Sequence, residues 1–341
     1  MIFRRIWQGV WVIWGVITLL FLIFYALGDP VEYIVGDNAD EATRASVRTR
    51  YGLDQPLPVQ YLRYLNQLSP IGYLPDSVAA ETPHLGLVGP IALKAPDMGR
   101  SYQTQAPVSQ MLASRMEGTL ILAAVSIVLA GIPGILLGVV AALKRHSVWD
   151  KGILAASVIG ISAPSFFVAV VIVWLFAVKW QSWTGLQAGG YLFEENIFSP
   201  GRHIVWKNLL LPALALGLRP LAVFIQLTRS SMADVLGADY VRTARAKGLP
   251  PLPVVLRHAL RNALNPVITS VTGWLASLLA GAFFVEYIFD WQGVGKLTID
   301  ALNTNDFPVI IGCTLVVAAI FVVFSILTDL LYAWTDPRVR L

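Results

Sequence analysis

Residues 117–143 read "EGTLILAAVSIVLAGIPGILLGVVAAL", and after Glu117 no ionisable side chain follows until Lys144. About 20 apolar residues suffice to carry a helix across a hydrocarbon core of roughly 30 Å, and this run exceeds that length. It lacks the period-2 polar alternation of a membrane barrel strand and is too long for one. In lipid its backbone groups must therefore be satisfied within the segment, which means helix. Comparable apolar stretches occur at 7–27, 152–178, 208–228, 265–289 and 308–333. The expected fold is an all-α integral membrane protein with six transmembrane helices.

Composition agrees with that reading. The 341 residues are 56% hydrophobic and 13% charged, where a soluble domain would carry about 25% charged residues. The opening "MIFRRIWQGVWVIWGVITLLFLIFYALGDP" has a basic start, but its apolar run exceeds the h-region of a signal peptide and no small-x-small cleavage site follows. It reads as a retained first span. Cys313 is the single cysteine, so no internal disulfide can form. The net charge of +4 comes from basic residues that border the spans, which removes any need for a nucleic-acid partner.

The charges also orient the chain. Arg4 and Arg5 precede the first span, Lys144, Arg145 and Lys151 lie between the second and third, and a basic segment occupies 229–264. Residues 31–115 instead hold seven Lys/Arg against eight Asp/Glu, 179–206 two against two, and 289–306 one against three. Basic loops stay on the cytoplasmic side, so both termini are expected there. The chain then divides into an N-terminal span (1–30), an extracytoplasmic cap segment (31–115) and a five-helix core (116–341) with a cytoplasmic loop at 229–264. Within the cap, "SPIGYLPDSVAAETPHLGLVGPIALKAPDMG" at 69–99 reads as irregular loop. The loop at 179–206, with Trp180 and Trp183, reads as a turn at headgroup depth.

The spans carry interruptions suited to a bundle around a path. Gly134 and Gly138 form G-x-x-x-G, which permits close helix approach. "GISAPSFF" at 160–167 places Pro164 between Ser162 and Ser165, followed by Phe166, and Arg219 lies near the middle of the fourth span. Such breaks are tolerated where protein or a water-filled path satisfies the freed backbone; helix packing alone is the plainer account. Arg219 and Glu286, near the outer end of the fifth span, are ionisable groups at membrane depth. Each either lines a cavity or pairs structurally.

The basic segment contains "DYVRTARAKGLPPLPVVLRHALRNALNP" at 239–266. Residues 230–247 read as one helix, with Met232, Val235, Leu236, Tyr240 and Thr243 on one side and Asp234, Arg242 and Arg245 on the other. Gly248 caps it, "LPPLP" stops it, and "VVLRHALRNAL" begins a second helix leading to Asn265 and Pro266. Two readings fit: a positive loop on anionic headgroups, or a docking element with a small-residue surface at Ala244, Ala246 and Gly248.

Enzyme chemistry finds no support. The phosphate-cradling G-x-x-x-x-G-K-[ST] pattern is absent; "WQGVGKL" lacks its first glycine and its hydroxyl residue. His84, His146, His203 and His258 are dispersed over loops, which argues against a metal site and leaves Ser162 and Ser165 without a histidine partner. A secondary transporter would favour paired, similar halves with ion-coupling carboxylates inside the spans, and no such paired halves are visible.

The segment "DYVRTARAKGL…VLRHALRNALNPVIT" resembles the cytoplasmic coupling loop of B-type permease subunits in the dipeptide/oligopeptide/nickel branch of ABC importers. Similar motifs follow in the same order: "GDP" at 28–30, "YGLDQPLPVQYLRYL" at 51–65, "MGRSYQTQAPVSQMLASRMEGTL" at 98–120, "SAPSFF" at 162–167, "GAFFVEYIFDWQGVGKLTIDAL" at 281–302, "NDFPVI" at 305–310 and "DLLYAWTDPRVR" at 329–340. The resemblance implies the ABC type I importer permease fold and a multi-pass subunit of the cytoplasmic (inner) membrane. It implies a second permease subunit, two cytoplasmic ATPases that use ATP and Mg, and an extracytoplasmic binding protein that delivers peptides; nickel, glutathione or oligosaccharide are alternative cargoes. No cofactor is expected on this chain. Tyr240, Arg242, Thr243, Ala244, Arg245, Ala246, Lys247 and Gly248 fall on the coupling motif, with His258, Ala259, Leu260, Arg261 and Asn262 on its second helix. Ser162, Pro164, Ser165, Phe166, Arg219 and Glu286 are the candidates for the path. The chain departs from the family pattern at Pro250, Pro251 and Pro253, at Gln292 where a proline is usual, and in a longer proline-rich stretch at about 70–97.

Overall fold

A computed structural model describes residues 2–26, 30–35, 39–73, 84–88, 91–195 and 202–335. Gly28 and Asp29 of the "GDP" motif, parts of the proline-rich stretch (74–83 and 89–90) and the final "DPRVR" lie outside the described residues.

The chain is mostly helical. In order, the helices are α1 (Ile2–Ala26), α2 (Pro30–Val35), α3 (Glu41–Tyr51), α4 (Leu57–Leu68), α5 (Val108–Leu143), α6 (Val148–Ser162), α7 (Ser165–Ile172) and α8 (Gln181–Thr184). There follow α9 (Trp206–Leu236), α10 (Asp239–Ala246), α11 (Pro251–Pro253), α12 (Arg261–Ala263), α13 (Asn265–Gly281), α14 (Phe283–Ile288), α15 (Val294–Asn303) and α16 (Phe307–Thr335). A π-helical segment, Val173–Lys179, extends α7, and another, Val254–Leu260, joins α11 to α12.

Among the described residues, four helices are long and apolar enough to cross a membrane: Arg4–Ala26, Val108–Leu143, Trp206–Leu236 and Phe307–Leu331. The third expected span is not one straight helix. α6 and the α7 segment meet at a bend of 108° and make a fifth crossing only if taken together. The cause is local: a residue before proline is driven out of the α region, and Ala163, preceding Pro164, sits at φ −73° and ψ 130°. The fifth expected span is also divided, into α13 of 17 residues and the short α14.

The chain divides into two units. One comprises residues 1–6, 115–296 and 319–341, the other 7–114 and 297–318. In the first, the core gathers Leu122, Phe224, Val285, Phe289 and Trp291. The glycines of α5 let α9 approach closely, as the G-x-x-x-G spacing predicts. A Cβ on Gly134 would stand 2.8 Å from the Phe224 Cβ, and one on Gly138 would stand 2.8 Å from the Ile225 carbonyl oxygen. Gly131, one turn earlier in α5, has nothing within 4 Å. At the start of α6, Ser147 Oγ accepts from the Asp150 N–H (3.3 Å), a side-chain N-cap. The Asp150 carboxylate in turn takes the Arg229 guanidinium of α9 through two oxygens, at 2.5 and 2.9 Å. This bidentate pair ties elements 79 residues apart.

The second unit contains the stretch expected to be irregular at 69–99. It instead forms a three-stranded antiparallel sheet of β1 (Ile71–Tyr73), β2 (His84–Val88) and β3 (Ile91–Lys94) in the order β1-β3-β2. Ile71 pairs with Leu93 and Gly72 with Ala92, and β2 completes the ladder across a bulge between Gly86 and Val88. Gly86 stands at the bulge, and Pro70 and Pro96 lie outside the strands, positions compatible with short strands. In the same unit, buried Asp306 accepts from the Ser101 hydroxyl and from the Tyr102 N–H (3.0 Å). Two of the recognised motifs, "GRSYQTQAP" and "NDFP", therefore meet through one carboxylate. The loop at 179–206 carries α8 and an antiparallel pair, β4 (Phe193–Glu195) with β5 (Arg202–Ile204), rather than a bare turn.

Candidate functional site: the basic segment and the buried carboxylate

The basic segment folds as a helical hairpin on the base of α9. The expected single helix over 230–247 is two: α9 ends at Leu236, Gly237 and Ala238 turn the chain, and α10 restarts at Asp239. A moderate propensity signal across 230–247 could not report this break, because it depends on where α9 must end.

α10 packs through Val241 and Ala244, which join Val254 and Val235 in an apolar cluster. Ala244 is only 7% exposed, so it does not belong to a small-residue surface open to a partner. It is small because Val254 lies against it. Arg242, Thr243, Arg245, Ala246, Lys247 and Gly248 are exposed. Gly248 adopts φ +76°, a conformation that L side chains rarely take, and its N–H reaches the Arg245 carbonyl at 2.9 Å.

The prolines after Gly248 do more than stop a helix. Pro251 stands at the first position of α11, where its missing N–H costs nothing and its fixed φ favours the helix. The second helix thus begins three residues before the "VVLRHALRNAL" start. Its inner side places Val255, Ala259 and Ala263 against Met232 and Ala142. Its outer side exposes Arg257, Arg261 and Asn262, with His258 half-buried. The Asn262 amide donates to the Tyr240 hydroxyl (2.9 Å), bracing α12 against α10. Sequence patterning missed a further feature: Leu249, Leu252 and Leu256 are exposed, Leu252 by 67%. The four-residue spacing of Leu252 and Leu256 was the available signal for one helical face.

The proposed path residues separate. Ser162, Pro164 and Phe166 are exposed at the α6–α7 break, Ser165 is partly buried, and the Phe166 ring lies 6.1 Å from that of Phe284. Arg219 is exposed and makes no hydrogen bond or ion pair among the described residues. Glu286 is a correction: at 0% exposure it offers no surface to a passing solute. Its carboxyl accepts from Thr119 Oγ1 (2.8 Å) and from the Lys296 N–H (3.1 Å). Thr119 Oγ1 also accepts from the Val294 N–H (2.8 Å), and Trp291 Nε1 donates to the Gly118 carbonyl (3.0 Å). Glu286 thus organises the "WQGVG" loop. Gly293 and Gly295 are needed because a Cβ on either would run into this carboxyl. The pattern is that of a buried polar group kept because its partners are satisfied.

Residues 134–341 match the family model described as binding-protein-dependent transport system inner membrane component, and residues 1–123 match the corresponding N-terminal membrane component model. The di/tripeptide transport system permease protein DppB of Pseudomonas aeruginosa is 36% identical over 353 residues, covering 99% of this chain and 97% of that protein. The dipeptide transport system permease protein DppB of Bacillus subtilis is 35% identical over 339 residues, with the same shares covered. A chain of the MetNI methionine ABC transporter, solved in inward-facing conformations, aligns with 68% of this chain and 96% of its own length at 16% identity and a TM-score of 0.47. Matched along nearly its whole length, the chain belongs to the family of inner-membrane components of binding-protein-dependent transport systems: it is a permease subunit.

Proposed function

We propose that this permease subunit serves an ATP-driven importer of di- and oligopeptides. The observation that carries the cargo is the identity of about 35% along nearly the entire chain to proteins named as dipeptide permeases. In this reading both termini are cytoplasmic, and the chain crosses the membrane six times, with the α6–α7 pair and the α13–α14 pair each counted as a crossing. The segment 31–115 is extracytoplasmic. A second, different permease subunit completes the path, an extracytoplasmic binding protein delivers the peptide, and two cytoplasmic ATPases use ATP and Mg.

The coupling surface is α10 and the start of α11. Arg242, Arg245, Lys247 and Ala246 face outward beside exposed Leu249, Leu252 and Leu256, a mixed charged and apolar face suited to a protein groove. Its inner side is packed on α9 and on the helix that leads into α13, so a displacement imposed on α10 is delivered to two crossings as a rigid-body movement. Exposed Arg219 and Phe166 belong to the path in this reading.

The test is reconstitution of the chain with its partner permease, ATPases and binding protein. Dipeptide uptake should require ATP and persist when ionophores collapse ion gradients. Uptake driven by an ion gradient without the ATPases would overturn the importer reading, and ATP-dependent uptake of another solute with no peptide uptake would overturn the cargo.

A further inference from the structure

The second unit contains a cavity of about 930 Å³ that none of the roles above uses. Small-molecule sites run from about 300 to 1,000 Å³, so this one is large enough for a specific ligand. Its walls divide by chemistry. One part is apolar and aromatic: Phe21 and Phe24, near the end of the membrane-crossing α1, with Ile311 at the start of α16. The other is basic: Arg48, Arg63 and Arg100 line it against a single carboxylate, Asp97, which already accepts from the Gly99 N–H at 2.9 Å. Arg63 makes no hydrogen bond or ion pair among the described residues. Its guanidinium lies over Gly52, whose φ of +67° and missing Cβ leave the room. In the same lining, the Tyr64 ring stands 5.6 Å from that of Phe21, and its hydroxyl is buried without a hydrogen-bond partner, an arrangement that costs stability unless a ligand completes it.

We infer that this cavity binds the phosphodiester head group of an anionic phospholipid, with Arg48, Arg63, Arg100 and Tyr64 around the phosphate and Phe21 and Phe24 against the first acyl carbons. Three guanidiniums suit phosphate through paired N–H donors. A zwitterionic peptide would need a free carboxylate for its ammonium, and the cavity has only the engaged Asp97. The apolar wall comes from the ends of two membrane-crossing helices, so head group and chains meet the cavity at their own depths. The assignment to the outer leaflet rests on the orientation proposed above; binding itself does not, because a nanodisc presents both leaflets.

The test uses the full chain in phosphatidylcholine nanodiscs that contain photoactivatable phosphatidylglycerol, with crosslinked peptides mapped by mass spectrometry. Labelling should centre on 57–68 and 97–107. It should fall about tenfold or more in the pair Arg63→Ala/Arg100→Ala, as the loss of a charged contact would give, and fall less in Arg63→Lys/Arg100→Lys, which keeps the charge but not the paired donors and also controls for folding. Equal labelling by photoactivatable phosphatidylcholine, or labelling unchanged in the alanine pair, would overturn the site. Displacement by inorganic phosphate would overturn the lipid and leave a free-phosphate site instead.

Discussion

Thr119→Val tests whether the Glu286 network holds the "WQGVG" loop. The substitution keeps the shape of the side chain and removes one oxygen that makes two hydrogen bonds, donating to Glu286 and accepting from the Val294 N–H. The N–H is then left against a methyl group in a buried site, at a cost of about 1–3 kcal/mol, and Glu286 loses one of its donors for about 1 kcal/mol more. The sum, roughly 2–4 kcal/mol, stands well above the average of about 0.6 kcal/mol for a side-chain hydrogen bond between membrane helices. The difference arises because Val294 opens α15, and the N–H groups of a helix's first turn have no carbonyl one turn back to pair with. Denaturant unfolding in mixed micelles should record the loss for Thr119→Val, little change for Thr119→Ser, and strong non-additivity in the double variant Thr119→Val/Glu286→Gln. A cost below about 0.6 kcal/mol for Thr119→Val, or single effects that add within about 0.5 kcal/mol in the double variant, would refute the network.

Gly138→Leu should push α5 off α9 and cost about 1–3 kcal/mol by overpacking, whereas Gly131→Leu should be silent, since its Cβ would enter open space; thermal stability in detergent distinguishes them. Ala246→Trp should uncouple ATP hydrolysis from uptake while the chain retains its parent stability, and Ala244→Trp should lower stability itself because it enters the cluster with Val254; co-purification of the ATPases and a melting curve on each variant check both. Arg219→Met should leave stability within about 0.5 kcal/mol and reduce peptide uptake, while a large loss of stability would show a structural pairing instead.

Much of this protein was legible in the residues. Long uncharged apolar runs can only be helices in lipid, basic loops set an expected orientation, and the spacing of Gly134 and Gly138 announced the contact with α9 because a 3.6-residue period places them on one face. The coupling segment was legible as a pair of helices with Gly248 between them. What could not be read was set by packing. Pro164 marked the break in the third span but not its angle of 108°, and the end of α9 at Leu236 depends on how neighbouring helices accommodate a local signal that many straight helices also contain. The three strands at 71–94 are too short and too rich in turn residues to show a period, and they exist because they pair. Sequence assigned Glu286 to an expected span and Ala244 to a basic segment, without saying which way either side chain faces. Only the tertiary structure decided that Glu286 faces Thr119 and the first turn of α15, and that Ala244 faces Val254, because which side of a helix is covered depends on what packs against it.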